Sequence, residues 1–450
     1  MTVAQTLAAF ACDTASLPPA TRQASVRAVF DLVTATIAGR RTAGGIAALK
    51  AAPAAFGPGP ASCWFSDLRL SIPGAAFVNA SFASMLDLDD GHRGASGHPG
   101  AAVIPAVIAT AQAHGVDAER VLTAIAIGYE IGVRIAGARD VDTLHTFDSG
   151  LWCGQAAAAA AGWVRGLDAT RLANAIAIAG TTAPGQTATA YTKLMGNNVK
   201  EGIPFATALG LVAVELAAHG FTGPIDFLDE EQRYDRTILS ADLGSRWLIE
   251  TTYFKPYGCC RWAHAAIDAL LDLMRDNHMA ADAISAVRVE TFAQVLWLNN
   301  DMAPPTLEAA QYSVPFCLAA AAIHGAEALL PLEDRLLADR EVLGFAPRVT
   351  LSVAPDLDPM FPQSVPARIA VTTAHGTLYR TVLAPRGEPV NPMSDDDLRA
   401  KFSTIARHRL PPSVSTTLLD ALAAFEAGEI APLLASLGSV PALARTAVNV

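Results

Sequence analysis

The sequence predicts a mainly α-helical protein with an α+β part: a large all-helical domain into which a smaller α+β domain is inserted as a lid. The chain has 450 residues, more than one ordinary hydrophobic core accommodates, so two domains are expected. Hydrophobic residues make up 52% of the chain and charged residues only 17%. Much of the apolar excess is alanine, which favours helices and lets them approach closely. Strand-like alternation of apolar and polar residues begins only after Thr252.

The helical part is predicted from residue spacing and from residues that begin or end helices. Apolar side chains recur at three- and four-residue steps within residues 19–39, and Gly39 suits the left-handed position that ends a helix. Asp117 is expected to cap a helix over 117–136. Six consecutive alanines ending at Ala161 predict a helix whose neighbours lie very close. The other helices are predicted over 75–83, 101–114, 169–179, 204–219, 395–407 and 413–427.

The α+β part is predicted from segments that alternate in polarity. His375-Gly376 is a short turn suited to a β-hairpin. Strands are expected over 286–291, 349–353, 367–373 and 377–383, with helices over 263–275 and 319–330. The predicted domains are a discontinuous helical domain, residues 1–254 and 389–450, and an α+β lid domain, residues 255–388.

Composition and charge argue against several functional classes. The net charge of −11 and the lack of a dense Lys/Arg cluster predict no nucleic-acid partner. No apolar run reaches the length of a membrane span, and no basic residue precedes the first apolar stretch, so neither a membrane partner nor a signal peptide is expected. Six cysteines without a CxxC pair make neither a disulfide framework nor a zinc site. We therefore expect a soluble cytoplasmic protein, in which an anionic ligand requires a locally cationic pocket.

The most polar stretch of the chain lies between two apolar segments rich in small residues. Residues 85–105 contain Asp87, Asp89, Asp90, His92 and His98. A titratable loop between buried helices favours a cleft with shifted pKa values. Taken alone, the same segment is equally consistent with a surface turn at Asp-Asp-Gly.

Four later segments contain further candidate side chains. Taken singly, a lysine is more often solvated, and a histidine beside a helix start is more often a packing residue. Lys255, Arg261 and His264 lie among Tyr, Cys and Trp residues, which suggests that they are partly buried. Buried cations need anionic partners, and a substrate carboxylate would be one. The candidates are His145 before the alanine-rich helix, Lys200 before a long helix, Lys255, Arg261 and His264 within ten residues, and Gln311 with Ser313.

Metal, nucleotide and hydrolase sites lack the spacing that would support them. The aspartates and histidines of residues 85–105 are metal-ligand types, but no HxH, HExxH or CxxC spacing occurs, so no metal is expected. No GxGxxG or GKS/T loop follows a strand, and Ser149 lies in Asp-Ser-Gly rather than in a GxSxG elbow.

Taken together, motifs along essentially the whole chain resemble those of one known family. They are DLVTATIAG in the first long helix, DLDDGH with GHPGAAVIPA, a histidine nine residues before GQAAAAAA, VKEG, FKPYGCCRWAHAAIDA, QYSVPF and PVNPMSDDDLRAKF. On these motifs the chain resembles the MmgE/PrpD family, which includes 2-methylcitrate dehydratase, cis-aconitate decarboxylase and iminodisuccinate epimerase.

The resemblance implies a helical domain with an inserted lid, a homodimer, and an active site in the cleft between domains. It also implies chemistry without a cofactor on small di- or tricarboxylates. Matching motifs carry the family's site onto Asp87, His98, His145, Lys255 and His264. For the site lysine, counting back from Phe221 favours Lys200 over Lys193. Gly91 stands where cis-aconitate decarboxylase has a threonine, and Phe316 where many members have a tyrosine, so the substrate stays open.

The leading hypothesis is a lyase or isomerase that removes a proton α to a carboxylate. Dehydration of a 2-methylcitrate-like hydroxy acid is the first expectation, epimerisation or decarboxylation the second, and a non-catalytic acid-binding protein the alternative of another class. If one substrate is served, the groups from both domains should converge on one locally positive cleft. The expected roles are base or acid for His98 and His145, histidine orientation for Asp87, and carboxylate binding for Lys200, Lys255, Arg261 and His264, with Asp90, Gln311 and Ser313 as further substrate contacts.

Overall fold

The computed structural model describes residues 1–140, 144, 146–184 and 197–439. The N-terminal part is helical apart from a small antiparallel pair of strands, β1 (Pro58–Ser62) and β2 (Arg69–Leu70). Its helices are α1 (Val3–Asp13), α2 (Pro19–Gly39), α3 (Ala43–Phe56), α4 (Ile72–Ser84), α5 (Gly100–His114), α6 (Ala118–Gly137), α7 (Gly150–Arg165), α8 (Ala169–Thr181), α9 (Ile203–Ala218) and α10 (Arg236–Ser240).

Helix α7 lies at the centre of the helical part. Its alanines at 156–161 are wholly buried, and it packs against α5, α6, α8 and α9. A Cβ added at Gly210 of α9 would lie 2.4 Å from the Gly154 carbonyl oxygen of α7, so these two helices touch through their backbones. Close approach of this kind is what the alanine run predicts.

The rest of the chain forms the α+β part and returns to helix. The four-stranded sheet has the order β4-β3-β5-β6; β3 and β4 are parallel, with Val287 opposite Val349, and the other pairs are antiparallel. Helices α11 and α13 pack beside this sheet. The elements are α11 (His264–Asp276), β3 (Ile284–Thr291), α12 (Leu307–Ala310), α13 (Val314–His324), α14 (Arg340–Phe345), β4 (Val349–Val353), β5 (Ala367–Thr373), β6 (Gly376–Val382), α15 (Asp395–Arg407), α16 (Pro412–Glu426) and α17 (Ile430–Leu437).

The architecture is mainly α with an α+β part, as the sequence predicts. One hydrophobic core joins the N-terminal helices to side chains of α15, α16 and α17. A second core lies in the α+β part and includes Phe147 from the chain that leads into α7. Two further clusters of buried apolar residues accompany them in the described part of the chain. The domain boundaries placed at residues 254 and 388 stay predictions.

A few elements were not expected from the sequence. Helix α1 begins at a Thr2 cap whose side chain accepts from the Gln5 N–H, while the Gln5 side chain accepts from the Thr2 N–H. Strands β1 and β2 form within a Pro/Gly-rich stretch that has no apolar alternation. Local signals therefore located the long elements better than the short ones.

Helix α9, with the turn before it, is long and apolar enough to cross a membrane by length and composition. In Lys200–Ala218, 61% of the most apolar window is buried inside the protein. A core helix passes the same test, so this is weak support for a membrane span.

Candidate functional site

The site is built on the loop between α4 and α5, which is buried along most of its length. Asp87 adopts a left-handed backbone, with φ of 54°. The next carbonyl, that of Leu88, accepts a 2.7 Å hydrogen bond from Lys401 of α15, whose ammonium also lies 2.6 Å from Asp31 of α2. The loop is thus fixed by the two helices beneath it, and its Asp87 carboxylate faces Lys255 at the start of the α+β part.

His98 is held by groups on both sides of its ring. Its Nδ1 lies 2.9 Å from Asp89 Oδ2, and its backbone N–H donates to Ser149 Oγ at 3.1 Å. With Nδ1–H donated to Asp89, Nε2 is left facing Asp87 Oδ1 and Glu201 Oε1, each 3.7 Å away. Burial and Lys255 oppose protonation, yet the carboxylates of Asp89 and Glu201 raise the pKa of His98 above its ordinary value.

Two lysines converge on the Asp87 carboxylate. Lys255 Nζ lies 3.4 Å from Oδ2, and Lys200 Nζ lies 3.6 Å from Oδ1. Burial alone raises the pKa of Asp87, but Lys255 and Lys200, with His98, hold it well below its usual range. Lys255 is wholly buried, and its ammonium makes no hydrogen bond of good geometry within the described residues. Lys255 is therefore held beside Asp87 by charge attraction, whereas Lys200 is also held by hydrogen bonds to Gln311 and Tyr312.

Lys200 reaches the site from an unusual backbone. Lys200, Glu201 and Gly202 have φ of 48°, 57° and 74°, and a non-glycine residue in this region costs of order 1–3 kcal/mol. The Lys200 ammonium donates to Gln311 Oε1 at 3.0 Å, and Gln311 Nε2 donates to the Met85 carbonyl at 3.0 Å. Gln311 therefore links the lysine to the loop that carries Asp87.

Asp89, Glu201, Asp148 and Ser149 belong to the site although sequence reasoning did not select them. Glu201 Oε2 accepts from Ser149 Oγ at 2.9 Å and from its N–H at 3.1 Å. Burial, and then Glu201, raise the pKa of Asp148 to about 7. The available signal was adjacency: Asp89 follows Asp87 by two residues, and Glu201 follows Lys200. The structure also assigns to Asp89 the histidine-orienting position predicted for Asp87, because Asp87 is engaged by the lysines.

Arg261 and His264 lie outside this cluster in a network of their own. Arg261 donates to Glu388 Oε1 from Nε at 3.0 Å and from Nη2 at 2.9 Å, and to the carbonyls of Arg386 and Pro385. It also donates to His264 Nδ1 at 2.9 Å, while His264 Nε2 lies 3.1 Å from the Cys259 carbonyl. Burial, with Arg261 and Lys255 nearby, lowers the pKa of His264 well below its usual value. All donors of both side chains are used within the protein, so a carboxylate could bind them only by displacing these contacts, and their assignment as carboxylate ligands stays a prediction.

Asp90 and Ser313 are likewise engaged in holding the fold. Asp90 accepts from the Gly100 N–H at the start of α5 and from the Tyr129 hydroxyl, and burial raises the pKa of Asp90 to about 7. Ser313 Oγ caps α13 by accepting from the Phe316 N–H at 3.2 Å, and it donates to the Asp301 carbonyl. The contacts described for both side chains hold the fold, and their assignment as substrate contacts stays a prediction.

Two of the predicted residues, His145 and Lys193, lie outside the described residues. Just after position 145, the Phe147 ring lies 6.1 Å from that of Trp262 in the α+β part, and Asp148 faces Glu201. The structure thus brings together Asp87, His98, Lys200 and Lys255 from both parts of the chain, with Gln311 behind Lys200.

Gly91 is required by a tyrosine that covers it. Gly91 and Tyr253 are paired in an antiparallel bridge, and a Cβ at 91 would lie 2.2 Å from Tyr253 Oη. The guanidinium carbons of Arg93 and Arg261 lie 4.5 and 4.8 Å from the centre of the tyrosine ring. This ring fills the space that any side chain at 91 would need.

The charges of the cluster decide how it can treat a metal or an acid. The ligand atoms of Asp87, Asp89 and His98 lie within 4.8 Å of one another, close enough for one ion. Lys200 and Lys255 already supply positive charge to Asp87, which disfavours a further cation there. Within the described residues, the carboxyl groups of Asp87, Asp89, Asp148 and Glu201 face two lysine side chains and one imidazole. The cluster is therefore not positive overall, contrary to expectation, and an acid would enter it by exchanging with Asp87 for the lysines.

Comparison with known proteins agrees with this chain-wide organisation. The chain matches the MmgE/PrpD N-terminal domain over residues 5–243 and the MmgE/PrpD C-terminal domain over residues 257–426. It is 26% identical to a cis-aconitate decarboxylase-like protein of Aspergillus oryzae, over 74% of this chain and 75% of that protein. It is 27% identical to a cis-aconitate decarboxylase of Aspergillus terreus, over 75% of each. Identity to the human cis-aconitate decarboxylase is 26%, over 85% of this chain and 82% of the human protein.

Proposed function

The chain belongs to the MmgE/PrpD family, a carboxylate-acting family of lyase type, and we propose that it is a cofactor-independent lyase that removes a proton α to a carboxylate of a small di- or tricarboxylate. One observation carries the proposal. Lys200 and Lys255 flank Asp87 at 3.6 and 3.4 Å, beside the His98 Nε2 that faces Asp87 and Glu201, in a buried position where the two parts of the chain meet.

The two lysines supply the charge that the reaction needs. A proton α to a carboxylate is very weakly acidic, because its removal places a second negative charge on the carboxylate as an enediolate. Preorganised cations aimed at that charge are often the largest catalytic term. A substrate carboxylate that takes the place of Asp87 beside Lys255 and Lys200 would meet two ammonium groups already in position. Asp87 would then keep the lysines charged and oriented while the site is empty.

His98 is the proposed base. Its Nδ1 lies 2.9 Å from Asp89, which fixes the tautomer and stabilises the imidazolium formed when Nε2 takes the proton. A positioned base of this kind contributes about 10²–10⁴-fold. His145 stays a proposed second acid or base. In dehydration, that second group would protonate the departing β-hydroxyl as the enediolate collapses to the alkene.

Dehydration of a 2-methylcitrate-like hydroxy acid is the proposed reaction. The names of the curated relatives favour decarboxylation as a second candidate. Gly91, covered by Tyr253, differs from the threonine expected in cis-aconitate decarboxylase, which argues against a simple transfer of that activity. Epimerisation requires only that the proton return to the opposite face of the same enediolate.

The experiment is a substrate screen with proton exchange as a second measurement. Purified protein is incubated in D₂O with 2-methylcitrate, citrate, cis-aconitate and iminodisuccinate, and products and deuterium are followed by NMR. We expect turnover of at least one acid with exchange at its α-carbon, and loss of both in His98→Gln. Binding measured by a melting shift, with neither turnover nor exchange, would support the alternative of a non-catalytic acid-binding protein. Activity that survives exhaustive chelation is expected, since we propose neither a metal nor a cofactor.

We also propose a homodimer, with α9 as its contact. Phe205, Leu209 and Val212 of this helix are 47%, 36% and 40% exposed, and spacings of four and three residues place them on one face. Phe77 extends the face, with its ring 5.1 Å from that of Phe205. Light scattering should give twice the chain mass for the wild type and half of that for Leu209→Glu. A wild-type monomer at micromolar concentration would contradict the proposal.

A further inference from the structure

A second cationic cluster lies away from the Asp87 site, where the ends of α2 and α15 meet the α+β part. Arg40 and Arg41 follow α2, and Arg409 follows α15 by two residues. Arg335 approaches from the α+β part and shares the Glu333 carboxylate with Arg409, at 2.9 and 3.5 Å. In a chain of net charge −11, four arginines thus come from neighbouring segments, and two of them, Arg335 and Arg409, pair with Glu333.

These arginines are incompletely satisfied. The Nε atoms of Arg40 and Arg409 are both buried without a hydrogen-bond partner in the described part of the chain. Arg40 Nη2 donates a hydrogen bond to the Arg409 carbonyl at 3.3 Å, and the Arg40 guanidinium lies over the Phe65 ring. Burial, then Arg41 and Arg409, lower the pKa of Arg40 to about 10. Buried guanidinium donors without acceptors favour an added anion.

A cavity of about 360 Å³ opens beside the cluster. Its polar lining includes Arg41, Arg335, Arg409 and Thr42, and Thr42 caps the N-terminus of α3 by accepting from the Gly45 N–H. Its acidic lining is Glu333 and Asp334, and Leu86, the residue before Asp87, forms part of the wall. The space is large enough for a small anion and is bounded by both parts of the chain.

We propose that this cavity is a binding site for a phosphate group, held by Arg41 and Arg409 from the helical part and Arg335 from the α+β part. Guanidinium groups are the side chains best suited to bind phosphate oxygens in pairs. The α3 N-terminus adds a favourable dipole. Because the ligand bridges both parts and touches the wall formed by Leu86, its binding stabilises their contact behind the Asp87 loop.

The test is a titration of the full-length protein with inorganic phosphate at constant ionic strength, followed by calorimetry and by the melting temperature. A second arm uses glycerol 1-phosphate, because the same guanidinium chemistry accepts free phosphate or the phosphate group of a larger molecule. We expect saturable binding in at least one arm, and the tighter arm identifies the source. Absence of saturable binding in both arms would overturn the proposal.

Variants expected to weaken or to strengthen phosphate binding test whether the phosphate binds in this cavity. Arg41→Gln/Arg409→Gln should weaken binding at least tenfold, whereas Glu333→Gln, which removes the competing carboxylate, should tighten it several-fold. Arg171→Gln, an exposed arginine paired with Asp168, is the matched control and should leave binding unchanged. If the double variant does not fold, Arg41→Gln alone serves, because Arg41 is exposed. Phosphate binding that is unchanged in these arginine variants would place the phosphate outside this cavity and overturn the proposal.

Discussion

Two buried ionic clusters lie next to each other along the chain and differ in how fully their hydrogen bonds are made. Arg261 spreads its donors over Glu388, two carbonyls and His264, at 2.9–3.2 Å. Six residues earlier, Lys255 lies 3.4 Å from Asp87 without a hydrogen bond of good geometry among the described residues. Every donor of Arg261 thus has an acceptor, whereas the Lys255 ammonium is held beside Asp87 by charge attraction.

The difference separates a structural cluster from a candidate active site. The donors of Arg261 and His264 all have acceptors, which stabilises the fold, and a ligand could enter there only by breaking these bonds. In the second cluster, Lys255 Nζ and Asp89 Oδ1 have no hydrogen-bond partner in the part of the chain that the structure describes. A substrate carboxylate could take over contacts there at low cost. Substitutions in the Arg261 network should therefore lower stability, whereas substitutions in the Asp87 cluster should lower activity.

The largest expected effect is on catalysis, from His98→Gln. Removing the imidazole should lower kcat by about 10²–10⁴-fold, since the base is lost, while the fold is retained. In the wild type, kcat/KM should rise with pH through a pKa above the ordinary 6.5, because neutral His98 is the active form and its pKa is raised. Steady-state kinetics on the substrate found in the screen measure both. Near-wild-type kcat in this variant would remove His98 from the proposed mechanism.

Arg261→Met should have the next largest effect, on stability. It leaves Glu388 buried without its main partner and His264 Nδ1 without its donor, at a cost of about 3–5 kcal/mol. Arg261→Lys is the matched control: it keeps the charge but not the planar set of donors, so an intermediate loss is expected. Urea unfolding gives both values. A stable Arg261→Met with a lost kcat would reverse the roles given to the two clusters.

Lys255→Met tests the Asp87 cluster by removing one of its two ammonium groups. We expect kcat to fall about 10²–10³-fold, as for the loss of one oxyanion-stabilising group. The loss of stability should be smaller than for Arg261→Met, because Lys200 and His98 still face Asp87. Lys50→Met, at an exposed position, is the control for removing a lysine. A fall in stability larger than that of Arg261→Met, with kcat unchanged, would show that the contact is structural.

The fold was more predictable from the sequence than the site. Alanine-rich helical spacing located α7, and alternation located β3, because burial on one face repeats with the period of the element. Asp87, His98 and Lys255 stand out as charges among apolar neighbours. The division between the clusters could not be foreseen, because Glu388, which closes the network of Arg261, lies 127 residues away in sequence.

Neighbouring residues posed a second difficulty. Lys200 was selected and the adjacent Glu201 was not, since spacing alone does not say which of two adjacent polar side chains faces a cleft. Both have left-handed backbones, at φ of 48° and 57°, so the regular alternation of side-chain directions does not apply. The same holds for Asp87, which turns its carboxylate to the lysines and leaves Asp89 to orient His98.

A smaller effect on stability is expected at Gly91, which lies under Tyr253 between the two clusters. Gly91→Ala places a methyl group against Tyr253, whose ring is fixed between Arg93 and Arg261, at a cost of about 1–3 kcal/mol. Gly344→Ala in α14 is the control, since nothing described lies within 4 Å of its added Cβ. Denaturant melts measure both. In the double variant with Tyr253→Ala, the cost of Gly91→Ala should largely vanish; an additive result would show that the tyrosine is not the obstacle.

The smallest expected effect is the pH dependence of stability that arises from Asp148, at the rim of the Asp87 cluster. Its pKa is about 7 in the folded protein against the ordinary 3.8, because of burial and then Glu201. Between these values the folded state holds a proton that the unfolded state has released, so this residue makes stability fall as pH rises from about 4 to 7. Asp148→Asn cannot ionise, so the variant should gain roughly 1–2 kcal/mol relative to the wild type at pH 8 compared with pH 5. Asp13→Asn, at an exposed position, should show no such change. Urea unfolding at the two pH values provides the comparison, and a gain that is equal at both would mean that Asp148 is ionised in the folded protein throughout.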